Sequence, residues 1–328
     1  MASVSCRARS YLLQKALVDF GADESFAYAT EKIKEHYGVE VAPSTARLDV
    51  EKHAQIIHEQ INEQALCVSP AKEADTIIGE FDGSMVPVVT TLDKNNLCDD
   101  QRKNKKHEWK EARLAIARAK GAVDPIYAVT FGSIDEAGKK FTEVVKGAGD
   151  GEKTKIHCVC DGAPWLAEQV EKLFGTRAVF LLDFYHVSEY LAKAAQCCAP
   201  ATSCDWMREQ QSLLKQNLAY NVLENLKTHM LDCSLQKECS ALKCFNYLAK
   251  RIHQLDYKNA IASDLPIGSG EVESAHRSII QARLKIPGAW WNINNAQNML
   301  DLRVMRANGL WSQYWKNIQP SSGVHAYG

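Results

Sequence analysis

The sequence predicts an α/β fold: a mixed β-sheet with flanking helices, interrupted by an all-α insertion and preceded by a small helical N-terminal region. Between residues 75 and 190, apolar β-branched runs alternate with helical patterns, which is typical of an α/β sheet with some parallel pairing. Residues 187–262 show repeated helical patterns and no strand pattern. We therefore expect a helical region at 1–70, the first part of the sheet domain at 75–190, an insertion at 191–262 and the rest of that domain at 263–328.

Composition excludes several classes of protein. The 328 residues are 46% hydrophobic and 24% charged, as in ordinary globular proteins, and no apolar run approaches the roughly 18 residues that span a bilayer. Polar residues interrupt the start of the chain, so we expect no signal peptide, no membrane contact and a cytoplasmic location. Because the net charge is −1, a polyanionic partner must be bound by local basic patches.

The N-terminal region reads as helices. Apolar residues from Ala22 to Tyr37 approximate a 3.6-residue period, and Gly38 is a plausible helix stop. A second amphipathic helix follows from the Pro-Ser-Thr start at 43–45. Two helices joined by a turn predict either a helix-turn-helix that reads DNA or an ordinary helical hairpin.

Strand patterns then follow in order. Residues 75–90 are β-branched, and the hydrophobic stretch ends on the turn dipeptide Asp82-Gly83. Further strands are expected at 125–134, 155–166 and 178–186, with short helices between them. The insertion holds six cysteines whose spacing fits a structural zinc site poorly, so we expect buried thiols (Cys197, Cys198, Cys204, Cys233, Cys239 and Cys244). Cys158 and Cys160 share one face of a strand and are expected in the core.

Two aspartates stand where α/β folds place ligands. Asp82 and Asp161 each close an apolar run and precede a glycine, and side chains beyond strand ends project into the ligand crevice. The alternative is a turn residue whose carboxylate caps local backbone donors. Finding two such residues on separate strands favours a functional interpretation.

A third acid opens a helix after Gly268-Ser269-Gly270. If Val272, Ala275, Ile279 and Ala282 face the core, Glu273 lies beside that stripe and can face the sheet, whereas Glu271 is solvated. The alternative is simple charge complementation of the helix N-terminus. Three carboxylates without His or Cys suit hard cations, so we expect Mg²⁺ or Mn²⁺, with two ions assisting an in-line phosphoryl displacement.

These motifs together resemble a bacterial insertion-sequence transposase of the ISKra type. The likeness covers roughly 20–310, namely FDGSMVPV around Asp82, HEWKEAR, CDGAPWL around Asp161, LLDFYHVSEYL and PIGSGEVESAHRSIIQARLKIPGAWW. It implies a ribonuclease-H-like core with a catalytic and metal-binding triad of Asp82, Asp161 and Glu273. It also implies a supporting role for Asp183 and His186, although His186 is equally readable as a core histidine.

Basic and aromatic residues near these acids are candidates for DNA binding. Clustered cations neutralise phosphates, and aromatic rings beside them stack unpaired bases. A solvated face is the alternative for the cations, and core packing is the stronger interpretation for at least one tryptophan. The candidates are Arg102, Lys103, Lys105, Lys106, Trp109, Arg113, Arg277, Arg283, Lys285, Trp290 and Trp291.

The expected function is therefore Mg²⁺-dependent DNA cleavage and strand transfer at insertion-sequence ends by a DDE transposase. The partners implied are transposon ends and target DNA, bound by a homodimer or higher oligomer in association with the nucleoid. Two alternatives remain: a domesticated DNA-binding protein on the same scaffold, and a structure-specific nuclease of the same fold.

Overall fold

The computed structural model describes residues 9–91, 104–230 and 239–318 and is built around a five-stranded mixed sheet. The strand order is β3-β2-β1-β4-β5. Strands β1, β2 and β3 pair antiparallel, whereas β4 and β5 run parallel to β1. The predicted α/β class is confirmed. The strands are β1 (Thr76–Thr91), β2 (Lys105–Ala119), β3 (Ile126–Thr130), β4 (Lys155–Cys160) and β5 (Ala178–Leu182).

The first strand differs from the prediction. Asp82 and Gly83 do not form a turn: they pair with Leu114 and Arg113, and β1 continues to Thr91. Its partner β2 was not predicted as a strand, because its outer half is polar and mostly exposed on both faces and so lacks apolar alternation. Long β1 and β2 therefore extend beyond the shorter strands of the sheet.

Helices cover both faces of the sheet. On one face, α4 (Ile134–Gly147) and α5 (Pro164–Phe174) pack on Phe81, Cys158 and Cys160, so both strand cysteines lie in the core as predicted. A capping box between Ser133 and Glu136 fixes the start of α4. On the other face, α1 (Tyr11–Asp23), α3 (Pro43–Asn62) and α13 (Ile293–Ala307) share a second core with β1, β2 and β3.

The N-terminal helices are tied to the C-terminal part of the sheet domain. The predicted helix α2 (Phe26–Tyr37) ends at Gly38, which has the left-handed φ of 65° that favours glycine. Arg303 donates to the carbonyl oxygens of Ala22 and Ile279, bridging α1 to the helical segment after residue 270. DNA reading by α2 and α3 stays a prediction.

The insertion is helical throughout its described residues, as predicted. Its core packs on Val159 and Leu181 of the parallel strands. Cys198, Cys239 and Cys244 are buried, but Cys197 and Cys204 are exposed, so burial of all the insertion thiols was wrong for these two; Cys233 lies outside the described residues. The helices are α6 (Phe184–Cys198), α7 (Ser203–Lys215), α8 (Ala219–Met230), α9 (Ser240–Ala249) and α10 (Tyr257–Ala262). Within the described ranges, no helix is long and apolar enough to cross a membrane.

A wide helical turn follows the predicted third acid. Helix α11 (Gly270–Ala275) continues into a π-helical turn, His276–Gln281, then α12 (Ala282–Leu284), and α14 (Trp311–Asn317) ends the described chain. The extra residue in the turn shifts the buried stripe. Ala282 is exposed and Arg283 is buried in its place, so the expected inward position of Ala282 was wrong.

Candidate functional site

Asp82 and Asp161 are neighbours across the parallel pair β1 and β4. The pairing register ends at Phe81 opposite Cys160, so the two aspartates are the next residues on adjacent chains. Antiparallel β2 carries β1 onward past Asp82, while the chain leaves the sheet at Asp161. The sheet therefore brings together two acids that are 79 residues apart in the sequence.

Each aspartate uses one carboxylate oxygen locally. The amide of Gly83 donates to Oδ1 of Asp82 at 2.7 Å, and the amide of Ala163 donates to Oδ1 of Asp161 at 3.1 Å. The backbone-capping alternative is therefore also true of both residues. It occupies only Oδ1, and a carboxylate has further acceptor capacity on its second oxygen.

The environment of Asp161 disfavours its charge. Burial, and to a lesser degree the neighbouring Asp82 carboxylate, raise the pKa of Asp161 above its ordinary value, while the amide of Ala163 opposes the shift. The paired-acid interpretation implies such an upward shift, but the main cause is desolvation rather than like-charge repulsion. A cation between the two carboxylates would relieve both effects.

Glu273 lies on α11 but its carboxylate is not directed at the aspartates. Its side chain is 67% exposed and forms an ion pair with Arg277, one turn further along. Among the described residues, no three His, Cys, Asp or Glu side chains converge closely enough to hold a metal ion. The structure thus brings together two of the three predicted acids and leaves the third on a neighbouring helix, engaged by a cation.

Two carboxylates hold the N-terminus of α11. Oδ2 of Asp183 accepts from the amide of Ser269 at 2.8 Å and from its hydroxyl, while Oδ1 accepts from the amides of Tyr185 and His186. Asp183 thus caps α6 and fastens the Gly-Ser-Gly loop at the same time. It acts as a positioning residue for α11.

Glu80 is the second of these carboxylates. It is 1% exposed, and its Oε2 accepts from the amide of Val272 at 2.8 Å, the first turn of α11. Burial raises the pKa of Glu80 to about 8. Glu271, expected to be solvated, instead forms an ion pair with Arg118 of β2, with donor–acceptor distances of 2.5 to 2.9 Å. The helix reaches over Glu80, so its acid binds the nearest strand cation.

The insertion contributes the other wall of the site. His186 lies in a ring cluster with Tyr190 and Tyr247, whose rings stack at 4.0 Å. Arg251 covers the Tyr247 ring and donates to the carbonyl oxygen of Gly162, directly after Asp161. His186 is partly buried and contributes to stabilising the charged form of Asp161. The insertion therefore flanks the aspartates without sealing them, since the Asp82 side chain is 37% exposed.

His276 is the side chain that contacts Asp82. The imidazole is 3% exposed, and its Nε2 lies 3.2 Å from Oδ2 of Asp82. That separation is within ion-pair range, but the alignment is not that of a hydrogen bond, and within the described chain both ring nitrogens lack a hydrogen-bond partner. A buried polar ring without a partner is uncommon and marks an unusual position.

Several predicted DNA-binding residues do lie at the surface. Trp109 and Trp290 are 55% and 43% exposed, and their rings meet edge-to-face beside His107. Lys105 is exposed beside them, and Lys106 and Lys110 share the carboxylate of Glu108. Arg277 is exposed as well. Arg102 and Lys103 lie outside the described residues.

Other predicted DNA contacts are used within the protein. Arg283 is 2% exposed, donates to the carbonyl oxygen of Gly21 and stacks between Phe26 and Trp291. Its assignment as a phosphate contact was wrong, because the π-helical turn rotates it inward. Trp291 is 6% exposed, so the core alternative holds for this tryptophan.

Arg113 and Lys285 are intermediate cases. Arg113 pairs with Glu111, donates to the carbonyl oxygen of Gly132 and lies over Trp165. The ammonium of Lys285 donates to Ser84 at 2.9 Å. Both residues are partly exposed beside the acid pair, and their cations already have partners in the protein.

Sequence reasoning missed Glu80, His276, Tyr247 and Arg251. Glu80 had a signal, since it is the single charged residue in the apolar run before Asp82 and lies on the same face two residues earlier. His276 follows Glu273 by three residues, a helical neighbour. Nothing local identifies Tyr247 or Arg251, because their position depends on how the insertion packs.

Comparison with curated proteins finds one relative in Streptococcus gallolyticus, described as a UPF0236 protein in the vanSb 3′ region. The two chains are 25% identical over 234 residues, which cover 67% of this chain and 50% of the relative. The chain thus spans about half the length of the curated relative it matches. No protein-family model matches the chain.

Proposed function

We propose that this chain is a metal-dependent DDE transposase that cleaves DNA at insertion-sequence ends and joins the freed 3′-hydroxyl to target DNA. The observation that carries the proposal is the pairing of Asp82 with Asp161 across parallel strands, with an acid-bearing helix anchored beside them. The mixed sheet, with β1 between an antiparallel and a parallel half, supports the ribonuclease-H-like fold that the sequence motifs imply.

The donor chemistry of the acids fits a hard divalent cation. Asp82 and Asp161 offer carboxylate oxygens, the ligands that Mg²⁺ and Mn²⁺ prefer, and each has one oxygen outside its local hydrogen bond. Bound cations would activate a water or 3′-hydroxyl and stabilise the leaving oxygen of the phosphodiester. Glu273 joins them in this proposal after its carboxylate leaves Arg277.

The other residues serve to place DNA and hold the acids. Lys105, exposed on the outer half of β2, and the nearby rings of Trp109 and Trp290 offer charge for phosphates and faces for unpaired bases. Asp183 and Glu80 fix α11, so that Glu273 needs only a side-chain rotation and no helix movement. Oligomerisation on paired DNA ends belongs to the same proposal.

The decisive experiment combines the purified protein, labelled DNA carrying candidate insertion-sequence ends, and Mg²⁺ or Mn²⁺. Joining of labelled ends to target DNA supports the transposase. Cleavage without joining favours a structure-specific nuclease, and binding without either favours a domesticated DNA-binding protein. Asp82→Asn, Asp161→Asn and Glu273→Gln should each abolish the chemistry and leave DNA binding largely intact, because each removes a cation ligand and no phosphate contact.

The domesticated-protein alternative has one observation in its favour. Glu273 is paired with Arg277 and exposed rather than turned to the aspartates, as expected if the acids no longer serve a reaction. Glu271→Gln is the matched control, since it changes a glutamate of the same helix that is bound to Arg118. If Glu273→Gln and Glu271→Gln reduce cleavage equally, the loss reflects a disturbed helix and Glu273 is not a cation ligand.

A further inference from the structure

We propose that His276 is a nitrogen ligand of the cation site built on Asp82 and Asp161, and that it gives the site a preference for Mn²⁺ over Mg²⁺. The inference rests on the proposed function, because it assumes that the two aspartates bind a cation. It changes the expected ligand set, which had contained only oxygens.

The first argument is the burial of an unpartnered ring. His276 is 3% exposed, and within the described residues neither Nδ1 nor Nε2 has a hydrogen-bond partner. Loss of water from a polar group costs free energy unless another partner replaces it. His157 provides the contrast in the same structure: it is equally buried at 5%, but its Nε2 donates to the carbonyl oxygen of Pro266 at 2.8 Å.

The second argument is distance. Nε2 of His276 lies 3.2 Å from Oδ2 of Asp82, in a contact that lacks hydrogen-bond alignment. Two atoms that bind one ion at about 2.1 Å each lie roughly 3.0 to 3.4 Å apart in octahedral or tetrahedral coordination. The pair therefore has the spacing of two ligands of a common ion.

The third argument is the helix geometry around the ring. His276 is the first residue of the π-helical turn, and such turns occur frequently at functional sites. The preceding helix is fixed by Asp183 and Glu80, so the position of the imidazole against β1 does not depend on an exposed loop. His276 also lies one turn after Glu273, which places both residues near Asp82 on one helical segment.

The chemical consequence concerns which cation binds. Imidazole nitrogen is a better ligand for first-row transition metals than for Mg²⁺, which favours oxygen ligands and retains its water. A site with two carboxylates and one imidazole should therefore bind Mn²⁺ at least tenfold more tightly than Mg²⁺. Replacing the imidazole by an amide oxygen should narrow that ratio to a few-fold.

The test measures cation binding to the full chain without DNA. Free Mn²⁺ is followed by its electron paramagnetic resonance signal, with Mg²⁺ as competitor, for wild type and His276→Gln. His157→Gln is the matched control, a buried histidine whose nitrogen is satisfied by backbone, and it should keep the wild-type ratio. An unchanged ratio in folded His276→Gln would overturn the proposal and leave the carboxylates as the cation ligands.

A second measurement needs no variant and covers the case in which His276→Gln does not fold. Electron spin echo modulation of Mn²⁺ bound to the wild-type protein detects a directly coordinated imidazole nitrogen. Such a signal, lost in folded His276→Gln, supports the assignment. No nitrogen signal, or one that persists in His276→Gln and so comes from another histidine such as His186, overturns it. If the wild-type chain binds neither cation, the proposed metal-dependent function fails as well.

Discussion

The carboxylate of Asp183 binds the backbone amide and hydroxyl of Ser269, 86 residues further along the chain. The same carboxylate caps helix α6, so one buried side chain joins the end of β5, the start of the insertion and the loop before α11. The insertion leaves and returns to the sheet domain at this point, since the amide of Phe184 also donates to the carbonyl oxygen of Ile267. The return loop is thereby fixed to the place where the insertion begins.

Asp183→Ala should destabilise the protein by about 3 kcal/mol or more, because it leaves several buried donors unpaired and removes a helix cap. Asp183→Asn should cost less, since its amide oxygen keeps the cap while its amino group opposes Ser269. Urea unfolding of the two variants measures both effects. Equal stability of Asp183→Ala and wild type would show that this contact does not hold the loop.

Arg277→Gln should strengthen cation binding about twofold. The Arg277 guanidinium competes with a cation for the Glu273 carboxylate, but the ion pair is exposed and exposed pairs contribute little. The comparison uses Mn²⁺ titration without DNA, because Arg277 is also a candidate phosphate contact. Weaker cation binding in the variant would contradict the idea that Glu273 must leave Arg277 to become a ligand.

Replacing Lys105 and Lys106 by Ala should flatten the dependence of the logarithm of the DNA-binding constant on the logarithm of salt concentration. The expected change in slope is about 0.9 for each lost phosphate contact on duplex DNA. Lys153→Ala is the control, an exposed lysine before the amino end of β4, away from the acid pair at its carboxyl end. An unchanged slope in the double variant would identify this stretch as a solvated face only.

The stability of the protein should fall with pH through the titration of His53. This buried histidine contacts Tyr314 and Gln14, and desolvation lowers its pKa from the ordinary 6.5 to about 4. The unfolded chain therefore binds a proton between pH 6.5 and 4 that the folded chain does not, so stability is intact above pH 6.5 and decreases as the pH falls toward 4. The loss over that range is on the order of 3 kcal/mol.

His53→Gln should be less stable than wild type at pH 7 because it disturbs the contact with Tyr314. It should also lose less further stability between pH 6.5 and 4. Exposed His253→Gln serves as the reference and should retain the wild-type pH dependence. Parallel pH profiles of wild type and His53→Gln in urea unfolding would contradict the buried, uncharged state of His53.

The sequence alone determined the elements and the two aspartates. Strand and helix periods reflect local side-chain sterics and the burial of one face, which is why β1, β3, β4, β5 and the helical insertion could be located without a structure. The expectation failed where burial did not follow local pattern. The polar outer half of β2 pairs with β1 although it buries little, and the turn expected at Asp82-Gly83 is strand because β2 continues alongside it.

Only the tertiary structure decided which acid, cation and imidazole meet. Asp82 and Asp161 become neighbours through strand register, Glu271 and Glu273 choose Arg118 and Arg277, and the π-helical turn places Arg283 inside the protein and exposes Ala282. A helical stripe read at 3.6 residues per turn cannot anticipate one inserted residue, which rotates every later side chain by about 100°. The contact of His276 with Asp82 depends on register, helix anchoring and burial together, and these arise from packing between segments far apart in the chain.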